Sequence, residues 1–218
     1  MKIDKNAVIA FDMDGVLIDS KLSIFNALNS ALGIFNIPKL DGSQVELIGL
    51  PLIEMLKRAS EYKLNDDQLN VAMHKFRAYN NENGPKEAKP YEDIPRVLEL
   101  LTQRFNLVVV TSKLQSAAID LLHALDLVEH FFGIFGIQED GKNESKKTVL
   151  TRAKFCLDSV HGSETKFLAL IGDRSTDISA AHEFKIKAVG ALWGYGTETE
   201  LRGADITLST PVDILNIF

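Results

Sequence analysis

Residues 7–20 read AVIAFDMDGVLIDS. Five apolar residues, Ala7 to Phe11, run without a polar break into Asp12; a second acid, Asp14, and then Gly15 follow at once. An apolar run of this length without alternation is the pattern of a strand covered on both faces, as in a parallel sheet. The two carboxylates stand where that strand comes to the surface. In open α/β sheets ligands bind beyond the carboxyl ends of the strands, so chemistry is expected at this point.

Four further runs have the same character: LVVVT (107–111), FLALIG (167–172), AVGALW (188–193) and DITLS (205–209). Helical periodicity separates them. IPRVLELLTQRF carries Pro95 near its first turn and apolar residues at Leu98, Leu101 and Phe105. QSAAIDLLHALDL, KKTVLTRAKFCL and DISAAHEF are the other helical stretches of this part of the chain. Strands alternating with helices predict an α/β fold, a doubly wound, Rossmann-like parallel sheet with right-handed crossovers.

The interval between the first two runs breaks this rhythm. From about Ser20 to Pro85 it holds no convincing strand but three helical stretches, SIFNALNSALGIF, LIEMLKRASEY and DDQLNVAMHKFRAYNN. The expected organisation is therefore a core of residues 1–19 and 86–218 with an inserted helical unit, 20–85. NENGPKEAKP reads as the linker back to the core.

Composition narrows the function. The 218 residues suit one main domain with an insertion, and a 45% hydrophobic content is enough to build a core. A net charge of −6 with no long basic run disfavours a nucleic-acid partner. No apolar stretch approaches the roughly 18–20 residues of a membrane span. The charged start, MKIDKNAVIAFD, is not that of a secretory leader. A single cysteine, Cys156, excludes a disulfide framework within the chain and fits a reducing, cytoplasmic setting. In TRAKFCLDSV it reads as a small buried hydrophobe. The five histidines (74, 123, 130, 161 and 182) form no pair at metal-ligand spacing.

The polar residues at the strand ends are chemically complementary. The first strand ends in Asp12 and Asp14, the second in Thr111 and Ser112, and the third in GDRSTD with Asp173 and Asp177. Lys146 opens the helix ESKKTVL. Clustered carboxylates repel one another unless a cation binds them, and hard oxygen ligands favour Mg²⁺. One carboxylate can act as a nucleophile, a second can exchange protons, and hydroxyls and an ammonium can hold phosphate oxygens. These parts together suit phosphoryl transfer.

In order and spacing, FDMDGVLIDS, VVVTSK, Lys146 and IGDRSTD resemble the four motifs of the haloacid dehalogenase superfamily, and the resemblance covers nearly the whole chain. It implies that Asp12 is the nucleophile and a Mg²⁺ ligand. Asp14 is the implied general acid/base, with its carbonyl on the metal. Thr111, Ser112 and Gly15 would hold the phosphoryl group, and Lys146 would neutralise it. Asp173 would bind the metal, and Asp177 would support the metal or Lys146. Lys146 is preferred to Lys147 because KKTVL then fits the family's pattern; a different helix start passes the role to Lys147. Val16 departs from the Thr of many members. Lys113 reads equally as a surface lysine or as an anion attractor.

LWGYGTETEL and IGLPLIEML are similar to stretches of the phosphoglycolate phosphatase-like subgroup. Gly194 and Gly196 then shape a loop near the site, and Gly49 shapes a substrate loop in the helical insert, which resembles the family's small cap. The implied activity is Mg²⁺-dependent hydrolysis of a small phosphomonoester: phosphoglycolate-like, a nucleotide or a sugar phosphate. The alternatives are a phosphomutase of the β-phosphoglucomutase type and, from another class, a non-catalytic phospho-acceptor module. The expected partner is the small-molecule ester, with no nucleic acid or membrane; the chain is expected as a monomer or homodimer.

Overall fold

The computed structural model describes residues 6–138, 144–162 and 164–218. Residues 1–5, part of the stretch argued not to be a leader, lie outside the described residues. The first apolar run is strand β1, Ala7–Phe11, and all five residues are buried. Its successive side chains feed two different cores. Ile9 and Phe11 join a cluster with Leu98, Val109, Leu122 and Ile171. Val8 and Ala10 join another with Val108, Val110, Val149, Leu150 and Leu170. Side chains alternate across a strand, so a sheet covered on both faces needs apolar residues at every position. Each fully buried Val, Leu or Ile contributes about 1.5–3 kcal/mol.

After β1 the chain turns tightly. The Met13 carbonyl accepts from the amides of Val16, Leu17 and Ile18, and Gly15 donates to the Ile18 carbonyl at 2.9 Å. A short strand, β2 (Ile18–Asp19), then leads into three helices: α1 (Lys21–Gly33), α2 (Leu52–Ala59) and α3 (Asp66–Glu87). The chain returns through β3 (Lys89–Pro90), which pairs antiparallel with β2. The exit and re-entry of the helical segment are thus stitched side by side. The three helices share their own apolar cluster, with Leu28, Leu32, Leu56, Leu69 and Phe76 among its members.

NENGPKEAKP is not a linker over most of its length. α3 continues through Gly84 and Pro85 to Glu87. Pro85 sits in the last turn, where its missing N–H removes a single late helical bond. Ala88 still donates to the Gly84 carbonyl at 2.9 Å. Gly84 is buried against Asn80, which accepts a 2.8 Å bond from Ser23 of α1.

The remaining elements are α4 (Ile94–Thr102), β4 (Asn106–Leu114), α5 (Gln115–Ala124), β5 (Gly133–Ile137), α6 (Lys146–His161), β6 (Lys166–Gly172), α7 (Ser175–Glu183), β7 (Lys187–Ala191) and β8 (Ile206–Leu208). The main sheet has the order β5-β4-β1-β6-β7-β8, and every pairing in it is parallel. β1 therefore lies inside the sheet, between β4 and β6, and the carboxyl ends of all three share one edge.

Three local readings need correction. β4 does not stop at Thr111; its pairing with β5 is interrupted after Val110 and resumes at Leu114 opposite Ile137. β5, sequence GIFGI, was not anticipated. Cys156 is exposed rather than buried. The buried stripe of α6 runs through Val149, Leu150, Ala153 and Leu157, and Cys156 falls outside it beside Phe155, which is 76% exposed. Among the described residues, no helix is long and apolar enough to cross a membrane.

Candidate active site

Asp12 follows β1 directly, and its amide still bonds to the Ile171 carbonyl of β6 at 2.8 Å. Its carboxylate is therefore held by the sheet itself. Asp173 follows β6, and Asp177 lies in the first turn of α7. Lys146 is the first residue of α6, whose N-cap Ser145 accepts from the Thr148 amide at 3.2 Å. That cap sets where the helix starts and which lysine points inward. Lys146 reaches Asp12 Oδ2 at 2.8 Å and also bonds Asp177 Oδ1. Lys147 points away and pairs with exposed Glu183.

One oxygen each of Asp12, Asp173 and Asp177 lies within 4.8 Å of the others. All three residues are buried. Asp177 has both oxygens engaged, Oδ1 by Lys146 and Oδ2 by the Arg174 amide at 3.0 Å. Asp173 Oδ2 accepts from the Tyr195 amide at 2.7 Å. By contrast Asp12 Oδ1, Asp14 Oδ1 and Asp173 Oδ1 are buried without a hydrogen-bond partner. A buried carboxylate oxygen without a partner is costly, and a divalent cation is a fitting partner for several at once. The donor set thus fits a hard cation.

The electrostatics agree. Burial pushes the Asp12 carboxyl up to about 7, against the opposing pull of Lys146 and with help from Asp177. Burial, with Asp177 and Asp12 beside it, likewise raises Asp173 well above the usual carboxylate range. Burial works against the charge on Lys146, but Asp12 and Asp177 outweigh it and hold its pKa above the ordinary lysine value. Excess negative charge is thus confined around one ammonium. A cation bound among these carboxylates competes with the proton on Asp12. At pH 6, below the Asp12 value, calorimetry in buffers of different ionisation enthalpy should show about one proton released per divalent cation bound. At pH 8 the number should fall and the affinity should rise.

Asp14 stands apart from the three-carboxylate group. Its Oδ2 meets Lys113 at 3.3 Å, both side chains being nearly buried. Lys113 is therefore no free surface lysine. Thr111 is buried at the same sheet edge, and its hydroxyl accepts from the Lys113 amide at 3.2 Å. Ser112 follows, half-buried.

Gly15 has φ +87°, and a Cβ there would lie 2.2 Å from Asp173 Oδ2. No side chain fits without moving that carboxylate. Gly15→Ala should lower divalent-cation affinity about tenfold and cost on the order of 1–2 kcal/mol of stability from the backbone alone. Thermal melts with and without Mg²⁺ check both effects.

Trp193 and Tyr195 help to position the site and were not singled out in the sequence, unlike the glycines beside them. Gly194 and Gly196 do form a turn after β7, but they also press on Asp173: a Cβ on Gly196 would lie 1.8 Å from its carbonyl. Trp193 Nε1 donates to the Val16 carbonyl at 3.0 Å, tying this turn to the loop after β1. The Tyr195 hydroxyl donates to Asp19 at 3.1 Å and accepts from the Ser20 amide at 2.7 Å. It therefore grips the point where the chain enters the helical segment. An aromatic between two glycines at a strand end was the available signal.

An acid-lined, lysine-neutralised centre at the carboxyl edge of a doubly wound sheet is suited to handling phosphoryl groups. Comparison with known proteins agrees. The family profile described as "Haloacid dehalogenase-like hydrolase" matches residues 9–191. A phosphoglycolate phosphatase of Aquifex aeolicus is 31% identical over 212 residues, covering 96% of this chain and 95% of that protein. A 5'-nucleotidase of Pseudomonas aeruginosa is 30% identical over 196 residues, covering 89% and 86%. A haloacid dehalogenase-like family hydrolase from Streptococcus pneumoniae superposes with a TM-score of 0.83 at 27% identity, covering 97% of each chain. The chain belongs to the haloacid dehalogenase-like hydrolases, and it is a phosphatase acting on phosphoric monoesters.

Proposed function

We propose that this phosphatase is Mg²⁺-dependent and hydrolyses a small phosphomonoester through an aspartyl phosphate on Asp12. The observation that carries the reading is the asymmetry of Asp12. One oxygen is held at 2.8 Å by Lys146, and the other is buried and unpartnered, in a cluster where one oxygen each of Asp12, Asp173 and Asp177 lies within 4.8 Å of the others. Such a carboxylate is fixed in direction and has a lone pair to offer.

Asp12 and Asp173 are the side chains that would hold Mg²⁺, with the Asp14 carbonyl. Asp177, saturated by Lys146 and the Arg174 amide, orients the lysine. Mg²⁺, when bound, supplies charge neutralisation for the phosphate and the carboxylates. Asp12 attacks phosphorus; the Asp12–phosphorus bond forms as the bond to the ester oxygen breaks. Asp14 gives that oxygen its proton. Asp14 then takes a proton from the water that attacks phosphorus, and Asp12 is released with inorganic phosphate as the product. Lys146, Thr111, Ser112 and the backbone at Gly15 hold the phosphoryl oxygens. Lys113, 3.3 Å from Asp14, fixes the direction of the acid.

In this reading the helical segment, residues 20–85, is a cap on the core of residues 1–19 and 86–218, and it carries the substrate-selecting residues. The substrate is a phosphoglycolate-like acid, a nucleotide or a sugar phosphate. The names of the Aquifex and Pseudomonas relatives support the first two. The protein would act in the cytoplasm as a monomer or homodimer. Phosphate release from a panel of such esters, with Mg²⁺ and with chelator, tests the proposal. Release that survives chelation contradicts the metal, and glucose 1-phosphate converted without phosphate loss would indicate a mutase.

A further inference from the structure

Arg174 lies between Asp173 and Asp177, and neither the sequence motif nor the chemistry above gives its side chain a task. Its guanidinium leaves the core and enters the helical segment more than 120 residues away. Nη1 donates to the carbonyls of Val45 at 3.2 Å and Ile48 at 3.0 Å, and Nη2 donates to that of Glu46 at 3.3 Å. These three carbonyls belong to a single 3₁₀ turn, Val45–Leu47, and the residue that ends it. Carbonyls at the end of a helical turn attract a cation, and the planar five-donor fork of arginine can serve several of them at once; that of Val45 also accepts from the Ile48 amide at 3.1 Å. Nε is held from the other side by Glu200 at 2.9 Å. The same Glu200 oxygen accepts from the Ser175 amide at 3.0 Å and the Ser175 hydroxyl at 3.2 Å. The Arg174 side chain is only 11% exposed. Gly49, at φ +91°, brings the chain down on it; a Cβ there would lie 3.1 Å from Arg174 Cγ.

We propose that Arg174, braced by Glu200, is a clasp that holds the 45–48 turn of the helical segment against the loop bearing Asp173 and Asp177, and so positions that segment over the reacting carboxylates. The clasp rests on the phosphatase reading for its catalytic consequence. Its backbone amide bonds Asp177 Oδ2 at 3.0 Å while its side chain bonds the turn, so one residue registers both parts. Arg174 is a positioning residue: it touches neither a proposed metal ligand's free oxygen nor the proposed nucleophile. A mere structural tie would lower stability and depress turnover of every ester alike. A clasp instead changes how the segment meets the substrate. It shows in KM more than in kcat, and more for esters that contact the segment than for a flat aryl phosphate.

The test uses the full chain with Mg²⁺ and three variants: Arg174→Met, Arg174→Lys and Glu200→Gln. Hydrogen exchange is followed at residues 44–50, and steady-state kinetics with p-nitrophenyl phosphate and with phosphoglycolate or a nucleoside monophosphate, whichever the wild type turns over faster. Arg174→Met should accelerate exchange in 44–50 by about tenfold or more, since local opening is freed from its tie. It should raise KM for the physiological-type ester several-fold and leave the aryl phosphate nearly unchanged. Arg174→Lys should restore part of both effects, keeping the charge but not the fork. Glu200→Gln should give the same pattern more weakly, and it keeps the test open if Arg174→Met fails to fold. Unchanged exchange in these variants overturns the clasp. Faster exchange with kinetics unaltered for both esters overturns the positioning role. A wild type inert toward every ester is a failure of the phosphatase reading; it removes the positioning role, while exchange still decides whether the clasp exists.

Discussion

Asp12→Asn should abolish turnover, by at least about 10³-fold, while the protein stays folded. The amide is nearly isosteric with the carboxylate, so the packing around β1 is kept. The carboxamide no longer offers an anionic oxygen to bond phosphorus. Stability should hold or rise at neutral pH. The fold pushes the Asp12 carboxyl up to about 7 by burial, so ionising it costs folding energy. The sign follows from that shift. A carboxyl whose folded pKa lies above its unfolded value favours the folded state most at acid pH and loses that contribution as pH rises toward 7. Asparagine has nothing to ionise. Its melting temperature should therefore change less between pH 5 and 8 than that of the wild type in metal-free buffer. Circular dichroism melts across that range check the prediction, and phosphate release at saturating ester checks the activity.

Lys146→Met should cost both stability and activity. Lys146 meets Asp12 and Asp177, and its own side chain is 4% exposed. Removing one partner of a buried ion pair costs about 3–5 kcal/mol, because the charge left behind is neither solvated nor paired. Here two carboxylates are left. The folded pKa of Lys146 lies above its unfolded value, so its contribution is fully present below the ordinary lysine value and is lost only at more alkaline pH. Near pH 7 the whole of it is at stake. Lowering the pH to about 5 should return much of the lost stability, since protonated Asp12 no longer needs a cation. Activity should fall at least about 10²-fold, which is the scale for removing one charge-stabilising group. Lys147→Met should do almost nothing, because Lys147 pairs with Glu183 in solvent.

The parts legible in the sequence were those set by local pattern. β1 announced itself because a centrally placed parallel strand must be apolar on both faces, and Asp12 because it ends that run. Lys146 was preferred to Lys147 only because KKTVL fits the family's pattern; the Ser145 cap, which sets the helix start, is visible in the structure alone. The edge strand β5 was not legible: GIFGI is short, contains two glycines and pairs on one side only. Cys156 was misjudged because α6 is flanked by apolar residues on more than one face, and only packing shows which face is buried. α3 ran on through Gly84-Pro85 because proline near a helix end removes little, whereas as sequence punctuation the pair reads as a break. Tyr195, Lys113 and Arg174 owe their roles to partners brought together by the fold, up to 176 residues away for Tyr195 and Asp19. No spacing rule reaches that far.

The central claim is that Asp12 carries the phosphoryl group during turnover. The direct measurement is rapid acid quenching of the enzyme while it turns over an ester with Mg²⁺, followed by peptide mapping by mass spectrometry. The account predicts a phosphoryl adduct on the peptide containing Asp12. It should be present during turnover, gone once substrate is exhausted, and absent from Asp12→Asn. Phosphate release at full rate with no adduct at any quench time, or an adduct on another residue, would contradict it.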